Sequence, residues 1–454
     1  MPKGRFVGRL FGTDGVRGKA GEYPLDPPTV RRLGAALVRG LRHDNAAVPV
    51  RFLVGRDTRE SGDWIERELA RGIADQGGQL TSVGVVPTPA VAYLTPLKGF
   101  TAGVVISASH NPFEDNGIKV FSGAGEKFTE TLEQAVEAIV ADPSWSVADA
   151  HEAQVIRADY RGDYLAHLGE ILPQAARSGA RVAIDCANGA TTTVAPQLFR
   201  DLGFDVAVVG AQPDGRNINL QCGSTAPALL SRTVVEGGHA LGIAFDGDGD
   251  RAIFVDAGGR VVDGDAVMLM CAVALKAEGR LKNDAVVATV MSNIGLEIAL
   301  REAGIGLVRC AVGDKYVMEE MLRRDISLGG EQSGHVIFSD YLFTGDGMAT
   351  ALSVLRTMAT SGRSLADLAS QLTAYPQVLM NLRVKERVDL QTVPQIAQVL
   401  KSVESRLEGS GRLLVRYSGT EPLLRVMLEG KDQAEIGRWG QEIIDTVALH
   451  IGRA

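Results

Sequence analysis

Hydrophobic and polar positions along this chain follow a strand-then-helix rhythm that restarts twice. Residues 51–54 make a short apolar run of strand length, and the stretch 64–75 predicts a helix after it. A second strand is expected over 102–106, and a helix over 132–140 carries Leu132, Val136 and Ile139 on one face. Residues 141–151 hold a proline and little periodicity, which marks a boundary. The pattern then resumes with a helix over 160–172, a strand over 181–185, a helix over 194–202 and strands over 206–209 and 242–245. A third round begins near Gly264, with helices over 266–277, 296–303 and 315–323 alternating with strands over 285–290 and 307–311.

The last part of the chain reads differently. A strand over 378–384, a helix around 396–407, adjacent strands over 413–417 and 424–429, and a final helix over 434–449 predict a small α+β domain. The expected fold class is therefore α/β: three related α/β domains with mixed sheets, and a C-terminal α+β domain. The domain limits are expected at 1–150, 151–254, 255–371 and 372–454. The three α/β units share a pattern rather than an obvious sequence repeat.

Composition narrows the function. A chain of 454 residues suggests about three or four domains. A net charge of −8 disfavours a general nucleic-acid binder, which needs a basic footprint. It leaves room for anionic substrates, since a local arginine cluster outweighs the average. The four cysteines stand far apart without any CxxC pair, which predicts reduced thiols in a cytoplasmic protein. The opening MPKGRFVGRLFG has no apolar core of the kind a secretion signal carries. The longest apolar run, 266–275, is far short of the ~20 residues that span a bilayer, so no membrane partner is expected.

Four polar loops carry the candidate chemistry. ISASHNP, at 106–112, follows an apolar strand and exposes Ser109 at its exit. It reads either as a polar turn closed by Asn111 and Pro112 or as a nucleophile loop, and a serine nucleophile needs activation. His110 is its neighbour, but adjacency alone makes no Ser–His dyad. Lys119 reads as a solvated lysine or as a charge or proton carrier. DGDGDR, at 246–251, sets Asp246, Asp248 and Asp250 at alternate positions. Glycines between them let the carboxylates converge on a hard cation. An EF-hand is excluded, because its sixth position would be Arg251 and its twelfth Ala257. Three ligands leave room for a phosphate oxygen, which suits magnesium better than a full calcium cage.

GGEQSGH, at 329–335, offers Glu331 and Ser333 to sugar hydroxyl or amino groups, while His335 is either a structural histidine or an acid/base group. RYSGTEP, at 416–422, with Arg425 beyond it, is either an ordinary turn or an anion cradle built from Arg416, Ser418, Gly419 and Thr420. Arg17, in FGTDGVRG, adds a further candidate phosphate contact. No GxxxxGK[ST], GxGxxG, HExxH or GxSxG motif occurs, so P-loop, dinucleotide, zinc-protease and hydrolase readings lack local support.

Taken together, FGTDGVRG, ISASHNPFEDNGIK, AFDGDGDR, VGDKYV, GEQSGH and RYSGTEP resemble the α-D-phosphohexomutase superfamily over essentially the whole chain, in the family's order. Within it they are most similar to the bacterial phosphoglucosamine mutase branch. The resemblance implies a heart-shaped molecule around a central cleft, and an isomerase that interconverts glucosamine 6-phosphate and glucosamine 1-phosphate through a 1,6-bisphosphate, on the path to cell-wall precursors. It implies a phosphoserine at Ser109, one Mg2+ held by Ser109, Asp246, Asp248 and Asp250, and acid/base or electrostatic roles for Lys119, His110, Arg17, Arg251 and His335. Glu331 and Ser333 fall on the sugar loop; Arg416, Ser418, Gly419, Thr420 and Arg425 fall on the phosphate segment. A glucosamine or glucose 1,6-bisphosphate primer, a phosphosugar as the small-molecule partner, and a monomer or homodimer are implied as well. Gln332 and Lys315 depart from the Asn and Arg of many bacterial relatives. Phosphomannomutase or phosphoglucomutase activity, or sugar-phosphate binding without turnover, are the alternative functions.

Overall fold

A computed structural model describes residues 10–12, 14–42, 49–148, 153–177, 179–418 and 423–452. The chain divides into two compact units: residues 1–291 with 304–371, and residues 292–303 with 372–454.

The first unit holds three mixed sheets. In the first, Arg51–Arg56 pairs in parallel with both Gln79–Val85 and Ala102–Ile106, and Asp115–Ser122 returns antiparallel to Ala102–Ile106. In the second, Arg181–Asp185 pairs in parallel with Asp205–Val209 and Leu241–Phe245, and Ala252–Asp256 returns antiparallel to Leu241–Phe245. In the third, Ala285–Thr289 pairs in parallel with Gly306–Cys310 and Leu328–Gly330, and Val336–Phe338 returns antiparallel to Leu328–Gly330. Within each sheet the strand order is therefore second, first, third, fourth, with the fourth reversed. This common plan is the structural content of the rhythm seen in the sequence. Val16–Lys19 and Ile156–Arg157 extend the first sheet at its two edges, and Val261–Val262 extends the second.

The inner strands are buried on both faces, as sheets covered by helices require. Every residue of Ala102–Ile106, Leu241–Phe245 and Ala252–Asp256 is buried. Strand Asp115–Ser122 escapes a reading based on apolar runs because Asn116 and Lys119 interrupt it. Both are nonetheless buried, and their polar groups are satisfied inside the protein. Helix Gly347–Ser361 is hidden in another way: from Gly347 to Leu355 every residue is buried, small Ala, Thr and Ser side chains included, so no polar face emerges there. Asp346 starts it by accepting the N–H groups of Met348 and Ala349.

The C-terminal unit is a three-stranded antiparallel sheet with Leu423–Glu429 between Gln377–Arg383 and Arg412–Tyr417. Helices Pro394–Leu407 and Gln433–His450 cover it with Ile396, Val403, Ile443 and Val447. Helix Ile294–Glu302, which in sequence lies between two strands of the third sheet, packs with this unit. Buried Glu429 accepts the Ile294 N–H at 3.1 Å and the Arg412 Nε–H at 2.9 Å.

Among the described residues, no helix is long and apolar enough to cross a membrane. All four cysteines are free and buried. Burial pushes the Cys186, Cys222 and Cys271 thiols up to about 12, and Cys310 to about 11. The thiolate is the reactive form. A colorimetric thiol reagent at neutral pH is thus expected to label the native protein slowly, and to reach four thiols per chain only in denaturant.

Candidate active site

The ISASHNP, DGDGDR and EQSGH loops occupy one topological slot, the connection from the third to the fourth strand of each sheet. Open α/β sheets bind ligands at the carboxyl ends of their strands, and the three slots converge.

Ser109 is buried and its backbone is left-handed, with φ of 53°. That conformation is sparsely populated for a residue with a side chain and persists only where its surroundings impose it. Here the restraints are many. Ser107 Oγ donates to Asp57 at 2.5 Å and accepts the Ser109 N–H at 2.9 Å. Arg59, paired with Asp57, donates to the carbonyl of Ser109 at 3.2 Å and of Asn111 at 2.6 Å. Asn219 Nδ2 donates to the same two carbonyls at 2.9 and 3.0 Å. The result aims Ser109 Oγ at Asp246, to which it donates. His110 Nδ1 lies 3.3 Å from the same oxygen, and burial together with Arg251 and Arg17 pushes its proton affinity down.

Asp246, Asp248 and Asp250 are buried, with ligand oxygens all within 4.8 Å of one another. Burial and the charges of Asp250 and Asp248 drive Asp246 well above the usual carboxylate range. Burial acts in the same sense on Asp250, but Lys119 and His335 outweigh it and hold this carboxyl well below its ordinary value. Lys119 Nζ reaches Asp248 at 2.8 Å, Asp14 at 3.1 Å and Asp250 at 3.3 Å. Although burial alone would push it down, Asp14, Asp248 and Asp250 raise it well above the free lysine value. Asp248 Oδ1 is buried with no hydrogen-bond partner, and Asp250 Oδ1 is buried with only the longer ion pairs to His335 Nδ1 at 3.6 Å and Arg251 Nε at 3.7 Å. Orphaned carboxylate oxygens in a three-aspartate loop fit a hard divalent cation.

In the third slot, Glu331 accepts the Gly313 N–H at 3.2 Å, with Ser333 Oγ 3.5 Å from its other oxygen. His335 is buried, with Nδ1 3.6 Å from Asp250 and Nε2 3.6 Å from Asp314. The Gly345 N–H donates to Nε2 at 3.1 Å, which directs the Nδ1 proton towards Asp250. A cavity of about 560 Å³ joins the three loops and is lined by Asp14, Arg17, His110, Asp250, Arg251, Val312, Asp314 and Glu331, among others. Of the residues expected at the site, Ser109, His110, Lys119, Arg17, Arg251, His335, Glu331, Ser333 and the three aspartates thus gather in the first unit.

The fourth loop lies in the C-terminal unit. Arg416 and Arg425 stand opposite each other on paired strands, and Arg425 Nε is buried without a partner. Like charges facing across a sheet are destabilising unless an anion joins them. Ser418 is buried and its N–H donates to the Leu423 carbonyl at 2.7 Å. Gly419 and Thr420 lie outside the described residues. This unit has its own cavity of about 640 Å³, lined by Arg387, Arg416 and Tyr417 among others, with no serine–aspartate loop on its walls.

Several residues at the site were not read from the sequence. Asp57, Arg59 and Asn219 support the Ser109 loop from distant segments. Lys127 Nζ bridges Asp14, at 2.6 Å, and Asp314, which ties the first-unit FGTDG stretch to the VGDKYV stretch. Asp14 and Asp314 stand inside motifs that drew notice for other residues. Lys127 had no local signal at all. Lys315 turns instead to Glu133, at 3.0 Å.

Four family profiles match in order: phosphoglucomutase/phosphomannomutase α/β/α domains I, II and III over residues 8–146, 162–259 and 263–375, and the C-terminal domain over 379–446. The chain belongs to the phosphoglucomutase/phosphomannomutase family. Among curated relatives, it is 47% identical to a phosphoglucosamine mutase of Syntrophotalea carbinolica, over 98% of both chains. It is 48% identical to that of Solibacter usitatus, over 98% of this chain and 99% of the other. The fold matches a Burkholderia thailandensis phosphoglucomutase/phosphomannomutase family protein at a TM-score of 0.81, with 22% identity over 99% of each chain. It also matches an Aspergillus fumigatus N-acetylphosphoglucosamine mutase, solved with GlcNAc-6P and magnesium, at 0.66, with 20% identity over 96% of this chain and 95% of that one.

Gly247 sets the distance between the first two loops. A β-carbon there would stand 2.4 Å from the Ser109 carbonyl oxygen and 2.9 Å from Ile218 Cδ1. Gly247→Ala is therefore expected to lower turnover by ~10–100-fold through displacement of Ser109, with overpacking costing only about 1–3 kcal/mol of stability. Steady-state kinetics beside a thermal melt checks this.

Proposed function

We propose that this protein interconverts glucosamine 6-phosphate and glucosamine 1-phosphate, carrying the transferred phosphoryl group on Ser109 by way of a 1,6-bisphosphate. The observation that carries the reading is the set of Ser109 against the three-aspartate loop, beside a cavity that His110, Asp250 and Glu331 of the three loops line. The choice of an amino sugar is supported by whole-length similarity to phosphoglucosamine mutases. In this reading the four domains run over 1–150, 151–254, 255–371 and 372–454.

The resting protein carries phosphate on Ser109 Oγ. Asp246, Asp248, Asp250 and an oxygen of that phosphate would hold one Mg2+, which when bound supplies charge to offset the negative charge of the transferring group. Arg416 and Arg425, with Ser418, Gly419 and Thr420, hold the far phosphate of the sugar. Glu331 and Ser333 orient the ring through its hydroxyl and amino groups. The sugar O1 then attacks phosphorus: the P–Oγ bond breaks, the P–O1 bond forms, and the O1 proton ends on Ser109 Oγ, with His110 Nδ1 beside that oxygen to relay it. Lys119 and His335 hold protons at the carboxylate side of the cavity, and Arg17 and Arg251 add fixed positive charge. His110, held neutral, keeps an acceptor beside Ser109. The bisphosphate turns over, and its 6-phosphate returns to Ser109 Oγ, leaving glucosamine 1-phosphate. A glucosamine or glucose 1,6-bisphosphate restores the phosphate when it is lost.

Positioning and electrostatics dominate phosphoryl transfer, so the carrier itself has no substitute. Primed Ser109→Ala protein is expected to lose at least ~10³-fold in kcat/KM, and near-normal turnover would sink the carrier role. A panel of glucosamine, glucose and mannose 6-phosphates, with Mg2+ and a bisphosphate primer, is expected to show the highest kcat/KM for the amino sugar. A preference for mannose or glucose phosphate would move the protein to another branch of the family.

A further inference from the structure

Thr88 lies far in sequence from the metal loop, yet it makes two hydrogen bonds to one residue of it. It is fully buried at the start of helix Thr88–Leu97. Its N–H donates to the Asp248 carbonyl at 2.8 Å, and its Oγ1 donates to Asp248 Oδ2 at 2.5 Å. The hydroxyl does not cap its own helix: the N-cap is Pro87, and no side chain closes that end. The segment also abuts the next loop residue, since a β-carbon on Gly249 would stand 3.1 Å from Pro87 Cβ.

Asp248 Oδ2 is thereby occupied twice, by Thr88 Oγ1 at 2.5 Å and by Lys119 Nζ at 2.8 Å. Its other oxygen, Oδ1, is buried with no partner. A carboxylate turns about one bond, so pinning one oxygen from two directions fixes where the other points. The lysine bond is electrostatic and tolerant of direction. The hydroxyl bond is directional and arrives from a rigid helix start, so it sets the rotation.

We propose that Thr88 is a positioning residue for the cation. It holds Asp248 so that Oδ1 faces the metal, and it couples the first sheet's helix to the second sheet's loop. The proposal rests on the three-aspartate loop being the Mg2+ site. Partners of this kind, behind the ligands, typically set metal affinity by ~10–100-fold.

The test is isothermal titration of Mg2+ into unprimed full-length protein, with kinetics beside it. Thr88→Val keeps the shape and removes the hydroxyl; Thr88→Ser keeps the hydroxyl and removes the methyl. Thr88→Val is expected to weaken Mg2+ binding ~10–100-fold and to shift the Mg2+ dependence of turnover to higher concentration. Thr88→Ser is expected to bind within about threefold of the unaltered protein. Should Thr88→Val fail to fold, Thr88→Ala against Thr88→Ser makes the same comparison. Equal Mg2+ affinity in Thr88→Val and the unaltered protein would overturn the role of Thr88 alone. Equal weakening in the serine and hydroxyl-free variants would overturn it in favour of methyl packing. Absence of any Mg2+ binding by the unaltered protein would overturn the metal loop itself.

Discussion

Three carboxylates buried within 4.8 Å of one another are the constraint around which the first unit is organised. Carboxylates so placed repel, and burial removes the water that would screen them. The protein answers partly from within. Lys119 crosses from the first sheet to touch Asp248 and Asp250, and His335 crosses from the third to face Asp250. Asp246 is left with the heaviest burden, its proton affinity raised well above normal, and it is the aspartate that Ser109 addresses. A divalent cation would complete this balance, and a phosphate on Ser109 would add charge of the opposite sign to it.

A single folding plan, used three times, brings these groups together. Each sheet reverses direction after its third strand, and each reversal ends in a polar loop. The loops differ in chemistry: one holds a serine in a left-handed turn, one gathers three buried aspartates, and one sets Glu331 beside Ser333. Their contacts are mutual. Gly247 lies against the Ser109 backbone, Asn219 donates to the same backbone, and the N–H groups of Gly264 and Ala252 donate to the Gln332 and Gly334 carbonyls of the third loop. Lys127, between Asp14 and Asp314, ties segments of the first and third sheets' surroundings within the first unit.

The C-terminal unit meets a different electrostatic problem. Arg416 and Arg425 face each other across its central pairing, and Arg425 Nε is buried without a partner. Anion binding is the natural relief for that pair. Its core is separate, built on Val403, Leu424, Val426 and Ile443, which keeps the unit compact independently of the three sheets.

Local sequence determined the kinds of loop and strands such as Ala102–Ile106 and Leu241–Phe245, because a buried strand reads as an apolar run, while strands Gln79–Val85 and Ala252–Asp256 and helices Pro27–Leu41 and Thr88–Leu97 were not read from it. Ser109 was ambiguous in isolation and became credible only in company with the other loops. Strand Asp115–Ser122 was hidden because Asn116 and Lys119 are polar for reasons outside the strand. Asp57, Arg59, Asn219, Lys127 and Thr88 were illegible for the same reason. Their partners at the site lie between 50 and 187 residues away, and a hydrogen bond between distant segments leaves no periodic trace in either one. Tertiary structure alone decided which oxygen of each aspartate is free, which backbone holds Ser109 in its left-handed turn, and that helix Ile294–Glu302 packs with the C-terminal unit, since each of these is fixed by contacts that exist only once the chain has closed on itself.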